Sequence, residues 1–257
     1  MLAIQGDAVI ARVEAARRAR PGGVIAFDGD GTLWSGDVGD DFFRAFLEAG
    51  RVEPPALAAM RRLADAHGVE ASGTDGRSLA MTIYEAYAAE LVPEERVCEM
   101  VTYACAGWTT SEVRAFAADV IERTGLAGRL HRETSRLVEW AAREGIEAFV
   151  VSASPVAVVI EAARALGFDP AHVVAATPVE TDGVVMASVH APIPYGEGKV
   201  TNLARKIGAR PLYAAFGDNV FDIPLLRSAG IAVAVRPKPR LVARASEVPG
   251  LVELERA

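Results

Sequence analysis

Residues Val24–Trp34, with the sequence VIAFDGDGTLW, decide the fold of this chain of 257 residues. A short apolar run that stops at turn residues is typical of a buried strand. Alternate residues of a strand project to the same side, so we expect Asp28 and Asp30 to converge at its carboxyl end. Two carboxylates this close repel each other unless one is protonated or a cation lies between them. Chemistry that uses a carboxylate nucleophile beside a carboxylic acid needs such a pair.

The composition is that of a soluble globular enzyme. Hydrophobic residues make up 51% of the chain and charged residues 24%, which is far from a disordered composition. The net charge of −7 and the lack of a basic stripe argue against a nucleic-acid partner. Residues 1–7 lack the features of a signal peptide, and the apolar residues 148–160 are too few to span a bilayer. We therefore expect a cytoplasmic protein without a membrane partner.

The sequence divides into a helical block and a block in which strands and helices alternate. We predict a helix over residues 2–20, and helices throughout residues 37–125 except for a loop at the polar break His67–Gly76. After residue 128 strands alternate with helices, and Asp182-Gly183 predicts a hairpin. This alternation is typical of a parallel, doubly wound sheet. We predict an α/β core with an all-helical insertion after its first strand.

Polar residues suited to a phosphate and a metal ion follow the predicted strands. Ligands of open α/β sheets bind beyond the carboxyl ends of the strands. Ser152 follows the second strand and offers a hydroxyl, and Ser154 is predicted to cap the next helix, with Pro155 at its first position. Lys199 could hold a phosphoryl oxygen. Asp218 supplies a carboxylate that, together with Asp28 and a backbone carbonyl, could hold Mg²⁺.

Each of these residues also has a structural explanation. Ser152 and Ser154 could be caps, Lys199 a surface lysine, Asp218 a turn residue and Asp222 a charge in the first turn of a helix. Their occurrence in order at successive strand ends favours the functional interpretation.

The series Asp28–Thr32, Ser152, Lys199 and Gly217–Asp222 resembles the four motifs of the haloacid dehalogenase superfamily. The helical insertion is similar to the C1-type cap of its phosphoserine-phosphatase-like branch. The resemblance implies a Rossmann-like core made of residues 1–36 and 126–257, and a helical cap, residues 37–125, that sets specificity.

The resemblance also implies a Mg²⁺-dependent phosphomonoesterase that acts on a small phosphorylated metabolite. Asp28 would attack phosphorus and form an aspartyl-phosphate, and Asp30 would serve as acid and then as base. The remaining roles concern the phosphate and the metal ion. Thr32, Ser152 and Lys199 would bind the phosphoryl oxygens, while Asp28, the backbone carbonyl of Asp30, and Asp218 would coordinate Mg²⁺, with Asp222 next to them.

Two positions depart from the phosphoserine phosphatases and argue against phosphoserine as the substrate. Asp37 stands where those enzymes have a glutamate, and Phe221 stands where they have an asparagine. Asp37 is nevertheless a candidate for substrate binding. With Asp40, Asp41, Trp34, Tyr103 and Trp108 it would favour a cationic substrate. In the alternative interpretation Asp40 or Asp41 caps a helix and the tryptophans fill the core or the hinge.

Two other functions remain open from the sequence. The same aspartyl-phosphate could serve a phosphotransferase or mutase, and the fold could also form a catalytically silent binding protein. The sequence indicates no oligomeric state.

Overall fold

A parallel sheet of seven strands forms the centre of the structure, a computed structural model that describes residues 1–70 and 75–257. The strands of the described chain are Leu2–Ile4 (β1), Val24–Phe27 (β2), Ala148–Pro155 (β3), Val173–Ala176 (β4), Pro178–Thr181 (β5), Val184–Val189 (β6), Leu212–Gly217 (β7), Ile231–Val235 (β8) and Val252–Leu254 (β9). The strand order of the large sheet is β1-β9-β8-β7-β2-β3-β4, whereas β5 and β6 form a separate antiparallel hairpin.

Helices cover both faces of the sheet and fill the insertion. They are Gly6–Ala19 (α1), Val38–Ala49 (α2), Pro54–Ala66 (α3), Gly76–Ala88 (α4), Glu94–Tyr103 (α5), Thr110–Arg123 (α6), Arg132–Arg143 (α7), Val156–Arg164 (α8), Glu197–Ile207 (α9), Ile223–Ser228 (α10) and Pro239–Ala243 (α11). Alternate residues of β2 enter two different apolar clusters, because Ile25 and Phe27 face one side of the sheet while Val24 and Ala26 face the other. The prediction of a doubly wound sheet is confirmed.

The insertion between β2 and β3 consists of helices joined by loops, as the apolar spacing predicts. Helices α2 to α6 lie between residues 38 and 123. The predicted loop at His67–Gly76 separates α3 from α4, and its residues 71–74 lie outside the described part of the chain. No helix of the described residues is long and apolar enough to cross a membrane.

The prediction of a helix over residues 2–20 is wrong at its start. Leu2–Ile4 form an edge strand that pairs in parallel with β9, and the helix begins only at Gly6. Three residues are too few to show a strand period, and the pairing depends on a segment at the other end of the chain.

The β5–β6 hairpin, predicted from Asp182-Gly183, packs against the helical insertion. The amide of Gly107 donates to the carbonyl of Val185, and the amide of Val185 donates to the carbonyl of Trp108, both at 2.9 Å. A further bond of 2.8 Å joins the amide of Thr110 to the carbonyl of Gly183. The insertion is therefore held by backbone hydrogen bonds as well as by its two chain connections.

Strand order explains why residues distant in sequence meet at one edge. Strand β2 lies between β3 and β7, with Phe27 opposite Val150 on one side and Phe216 on the other. The residues that follow these positions therefore emerge side by side at the carboxyl edge of the sheet.

Candidate active site

Four acidic or basic side chains meet at this edge and are almost completely buried. Asp28, Lys199, Asp218 and Asp222 are between 0% and 7% exposed. The ammonium of Lys199 lies 2.5 Å from Oδ1 of Asp28 and 2.5 Å from Oδ1 of Asp222. Charged groups are rarely buried unless they are paired, and Lys199 pairs with two of the three carboxylates.

The buried charges strongly affect the titration of Asp28 and Lys199. Burial, followed by the negative charge of Asp222, raises the pKa of Asp28 well above its usual value, and Lys199 opposes this rise. Burial lowers the pKa of Lys199, but the carboxylates of Asp222 and Asp28 raise it by more, so that the lysine stays charged. A positive charge is thus fixed beside the proposed nucleophile.

The carboxylate of Asp30 is held by hydrogen bonds from three elements. Its Oδ1 accepts from the indole of Trp34 at 2.7 Å and from the amide of Val38 at 2.8 Å. Its Oδ2 accepts from the hydroxyl of Ser154 at 2.8 Å. These bonds fix the side chain, whose oxygens are not part of the group formed by Asp28, Asp218 and Asp222.

The prediction that Ser154 caps a helix is wrong. Helix α8 begins at Val156, the position before it is Pro155, and no side chain caps it. The backbone remains extended through Pro155, which lets the Ser154 hydroxyl reach Asp30 instead. Ser152 is 2% exposed, lines the cleft, and accepts from the amide of Ser154 at 3.0 Å.

Thr32 lies beside Asp28 and is completely buried. Its hydroxyl donates to Oδ2 of Asp28 at 3.3 Å. Its carbonyl accepts from the hydroxyl of Thr134 and from Nδ1 of His131. These bonds tie the turn after β2 to the start of α7, and they direct the Thr32 hydroxyl to Asp28.

Carboxylate oxygens of Asp28, Asp218 and Asp222 all lie within 4.8 Å of one another, a group that could hold a metal ion. Burial, and after it the charge of Asp222, raises the pKa of Asp218 to about 6. A cluster of hard oxygen donors with excess negative charge suits a divalent cation such as Mg²⁺.

Asp222 has fewer oxygen lone pairs free than its two neighbours. Its Oδ2 accepts from the amides of Asp218 and Asn219 at 3.0 and 2.9 Å, while its Oδ1 binds Lys199. Asp222 therefore fixes the turn that carries Asp218 and anchors the lysine.

Asp37 caps α2 and faces the same cleft. Its side chain accepts from the amide of Asp40 at 2.8 Å. Although its side chain is open to the cleft, the surrounding protein and then the charge of Asp30 raise its pKa to about 7. The other two acidic residues have partners, since Asp40 pairs with Arg44 and Asp41 with Arg129.

The prediction that Tyr103 and Trp108 reach the entrance is wrong. Both are buried inside the insertion, and the indole of Trp108 donates to the carbonyl of Arg51. Trp34 does reach the site, but as a fully buried donor to Asp30. The alternative interpretation of the tryptophans as core residues is therefore correct for Trp108.

The cleft also contains residues that sequence reasoning missed, namely Glu94, Cys98, Tyr195 and Lys238. Lys238 follows β8, and its ammonium lies 2.9 Å from Oδ2 of Asp218. The signal that could have found it is its place after a predicted strand, Ile231–Val235, which ends at the same edge as Asp218. Glu94 and Tyr195 have no comparable signal.

A family model described as haloacid dehalogenase-like hydrolase matches residues 25–227. A probable phosphatase from Mycobacterium tuberculosis (strain ATCC 25618 / H37Rv) is 31% identical over 157 residues, which cover 59% of this chain and 53% of that protein. The chain thus spans about half the length of the curated relatives it matches.

Solved structures show the same fold. A protein of unknown function from Bordetella pertussis Tohama I has a TM-score of 0.68 and 23% identity, and the match covers 90% of this chain and 97% of the other. A substrate-bound phosphoserine phosphatase has a TM-score of 0.53 and 16% identity, with coverage of 90% and 92%. At these identities the similarity establishes the fold alone.

Proposed function

Since the chain belongs to the haloacid dehalogenase-like hydrolases, we propose that it is a Mg²⁺-dependent phosphomonoesterase that hydrolyses a small phosphorylated metabolite through an aspartyl-phosphate. The observation that carries the proposal is the buried group of Asp28, Lys199, Asp218 and Asp222 at the carboxyl edge of the sheet. We further propose that residues 37–125 form a cap that determines which substrates reach this group.

The oxygen donors of the site fit Mg²⁺, the metal ion that the family implies. Asp28 and Asp218 keep oxygen lone pairs that protein donors do not fill, whereas Asp222 is occupied by Lys199 and two amides. We therefore assign Asp28, Asp218 and the backbone carbonyl of Asp30 as ligands, with Asp222 supporting them. Bound Mg²⁺ would neutralise charge on the phosphoryl group and on the carboxylates.

Asp28 serves as the nucleophile in this mechanism. One of its oxygens forms a bond to phosphorus while the bond from phosphorus to the substrate oxygen breaks, which leaves an aspartyl-phosphate and an alcohol. Lys199 stays protonated beside Asp28 and stabilises the negative charge of the transferring phosphoryl oxygens. The hydroxyl of Ser152 and the backbone around it bind the same oxygens. Thr32 fixes the second oxygen of Asp28.

Asp30 transfers the proton. In the first step its acid form gives a proton to the departing alcohol oxygen, and the resulting carboxylate takes a proton from the water that attacks the aspartyl-phosphate. The second step releases inorganic phosphate and restores Asp28. Asp30 suits both steps because it lines the cleft beside Asp28 and its orientation is fixed by three hydrogen bonds.

The test is phosphate release from a panel of phosphomonoesters by the full chain, with and without Mg²⁺. We expect turnover that EDTA abolishes and that Asp28→Asn lowers at least about a thousandfold. Asp119→Asn, which changes an exposed aspartate on α6, is the matched control and should retain full activity. Activity that survives Asp28→Asn would exclude the covalent mechanism.

The same assay separates hydrolysis from phosphoryl transfer and from silent binding. Hydrolysis releases equal amounts of alcohol and inorganic phosphate, whatever alcohol is added as an acceptor. A phosphotransferase releases more alcohol than phosphate when an acceptor is present. A silent binding protein releases neither.

A further inference from the structure

The catalytic cleft continues into a second cleft beneath the insertion. The catalytic cleft has a volume of about 120 Å³ and the second, which we call the cap cleft, about 90 Å³. Asp37, Glu94, Cys98, Ala153 and Ser154 line both of them. A phosphomonoester bound at Asp28 would therefore extend its alcohol part into the cap cleft, which has room for a small group only.

The charged side chains that line the cap cleft are all acidic. They are Asp37, Asp40 and Glu94, and the described lining includes no arginine, lysine or histidine. Asp40 is neutralised by Arg44 and also accepts from the hydroxyl of Tyr84. Within the described residues, neither Asp37 nor Glu94 has a basic group within 4.0 Å. Their surroundings raise the pKa of both carboxyls, that of Asp37 to about 7, and an ammonium group between them would favour their ionised forms.

The two lysines of the catalytic cleft have their salt bridges at the opposite end of the site. Lys199 binds Asp28 and Asp222, and Lys238 binds Asp218. The charge of Lys238 also acts on Glu94 and opposes the rise of its pKa, but no salt bridge joins the two. A carboxylate on the substrate would therefore meet the acidic groups of the cap cleft and no basic side chain in its lining.

Aromatic rings form the remaining walls. In the cap cleft the rings of Tyr84 and Tyr87 lie 5.8 Å apart, and in the catalytic cleft those of Tyr195 and Phe221 lie 4.5 Å apart. The hydroxyl of Tyr87 is also hydrogen-bonded to Glu94. Ring faces attract cations, and more strongly where water is excluded.

We propose that the substrate of this site is a phosphomonoester that has an ammonium group at its other end and no carboxylate. The ammonium would lie between Asp37 and Glu94, against the tyrosine rings. This proposal rests on the phosphomonoesterase function proposed above and adds the substrate class to it. It also differs from phosphoserine, whose carboxylate would find no basic partner in the cap cleft and, in the catalytic cleft, only lysines that already pair with aspartates.

The proposal is tested with four phosphates and the full chain in Mg²⁺. Two of them match in size, 2-aminoethyl phosphate and n-propyl phosphate, and a third, 2-carboxyethyl phosphate, is somewhat larger and has a carboxylate in place of the amine. The fourth, p-nitrophenyl phosphate, reports phosphatase activity without an amine. We expect kcat/KM for 2-aminoethyl phosphate to be at least tenfold above that for n-propyl phosphate, with 2-carboxyethyl phosphate the poorest of the three.

Two variants on the same turn of α5 test whether the preference for 2-aminoethyl phosphate depends on the cap cleft. Glu94→Gln should lower the ratio of kcat/KM for 2-aminoethyl phosphate to that for n-propyl phosphate about tenfold, mainly through KM. Glu95→Gln removes the same charge from the same turn of α5, outside the lining of both clefts, and should leave the ratio unchanged.

The outcomes separate this proposal from the one on which it rests. Equal kcat/KM for the amine and the propyl ester, or a preference for the carboxylate, would overturn the substrate class while leaving the phosphatase function intact. An unchanged ratio in Glu94→Gln would overturn the role of the cap cleft. Failure to hydrolyse any of the four phosphates would remove both proposals.

Discussion

The hydroxyl of Ser154 donates a hydrogen bond of 2.8 Å to Oδ2 of Asp30. The other oxygen of Asp30 already accepts two hydrogen bonds, from Trp34 and from the amide of Val38. Oδ2 is therefore the oxygen that is available to exchange a proton with the substrate. As the proton leaves, Oδ2 becomes a carboxylate oxygen, and the hydrogen bond from Ser154 gains strength.

We predict that Ser154→Ala lowers kcat/KM about tenfold for alkyl phosphates, which corresponds to the loss of one hydrogen bond in the transition state. For p-nitrophenyl phosphate the loss should be less than about twofold, because p-nitrophenolate leaves without a proton. Ser154→Thr keeps the hydroxyl and should restore alkyl phosphate turnover. Equal losses on both substrates would mean that Ser154 affects the whole site and not the proton transfer.

The second prediction concerns Gly31, which has a φ of +83° and lies against Asp218. A Cβ at this position would collide with the Asp218 carboxylate. Gly31→Ala should therefore lose about 1–2 kcal/mol of unfolding free energy from the backbone conformation, and more than tenfold in activity from displacement of Asp218.

Gly167 provides the matched control for Gly31. It has a φ of +78° but nothing within 4 Å of its Cβ position. Gly167→Ala should lose a similar amount of stability in urea unfolding while keeping its phosphatase activity. If Gly31→Ala also kept full activity, the close contact between Gly31 and Asp218 would not matter for catalysis.

The third prediction concerns metal binding measured without catalysis. Mg²⁺ should raise the midpoint of thermal unfolding, by the equivalent of about 2.7 kcal/mol at a concentration a hundred times its Kd. Asp218→Asn should abolish this rise. In EDTA the variant should unfold at or above the temperature of the wild type, because one of three mutually repelling carboxylates is gone. A Mg²⁺ response that persists in Asp218→Asn would contradict the assigned ligands.

The fourth prediction uses the pKa of Asp37, which is raised from 3.8 to about 7 by its surroundings, chiefly by burial. Between these two pH values the folded protein keeps a proton that the unfolded chain has lost, so stability falls as the pH rises, and the loss is complete above pH 7. Asn is also a good N-cap residue. Asp37→Asn should therefore gain stability over the wild type progressively between pH 4 and pH 7.

We expect this gain to be no more than about 1 kcal/mol, because solvent in the cleft screens the carboxylate. The measurement is urea unfolding of both proteins in EDTA at a series of pH values. Asp75 caps α4 in the same way, but its hydrogen bonds with Ser78 lower its pKa. Asp75→Asn should therefore show no gain as the pH rises, and a gain of equal size would contradict the explanation.

The parts of the fold that could be predicted are those in which local pattern and tertiary structure agree. The apolar run before Asp28 is buried on both sides and forms a central strand, as its composition predicts. The edge strand β1 and its neighbour β9 could not be predicted, because each has three residues and depends on its partners for pairing. Local periodicity contains no information about such a distant partner.

In the candidate site, too, some residues could be predicted from local pattern and others depend on tertiary packing. The acidic residues, Ser152 and Lys199 could be found because the sequence places each of them after a predicted strand or near the start of a predicted helix, although Ser152 lies inside β3, which continues to Pro155. Ser154 precedes a proline and matches the pattern of a helix cap, but a hydrogen bond to Asp30 takes its hydroxyl instead. Tryptophan is a residue type that often contacts ligands, but Trp108 is buried in the core of the insertion. Only the packing of the insertion distinguishes these two possibilities.

The hydrogen bonds between the β5–β6 hairpin and the insertion limit how this protein can be recombined with its relatives. Residues 37–125 are contiguous in sequence and would be the natural segment to exchange between homologues. Such an exchange would leave the partners of Gly107, Trp108 and Thr110 behind in the recipient. A chimera should therefore also include residues 178–189 of the donor, so that the exchanged insertion keeps the hairpin on which it packs.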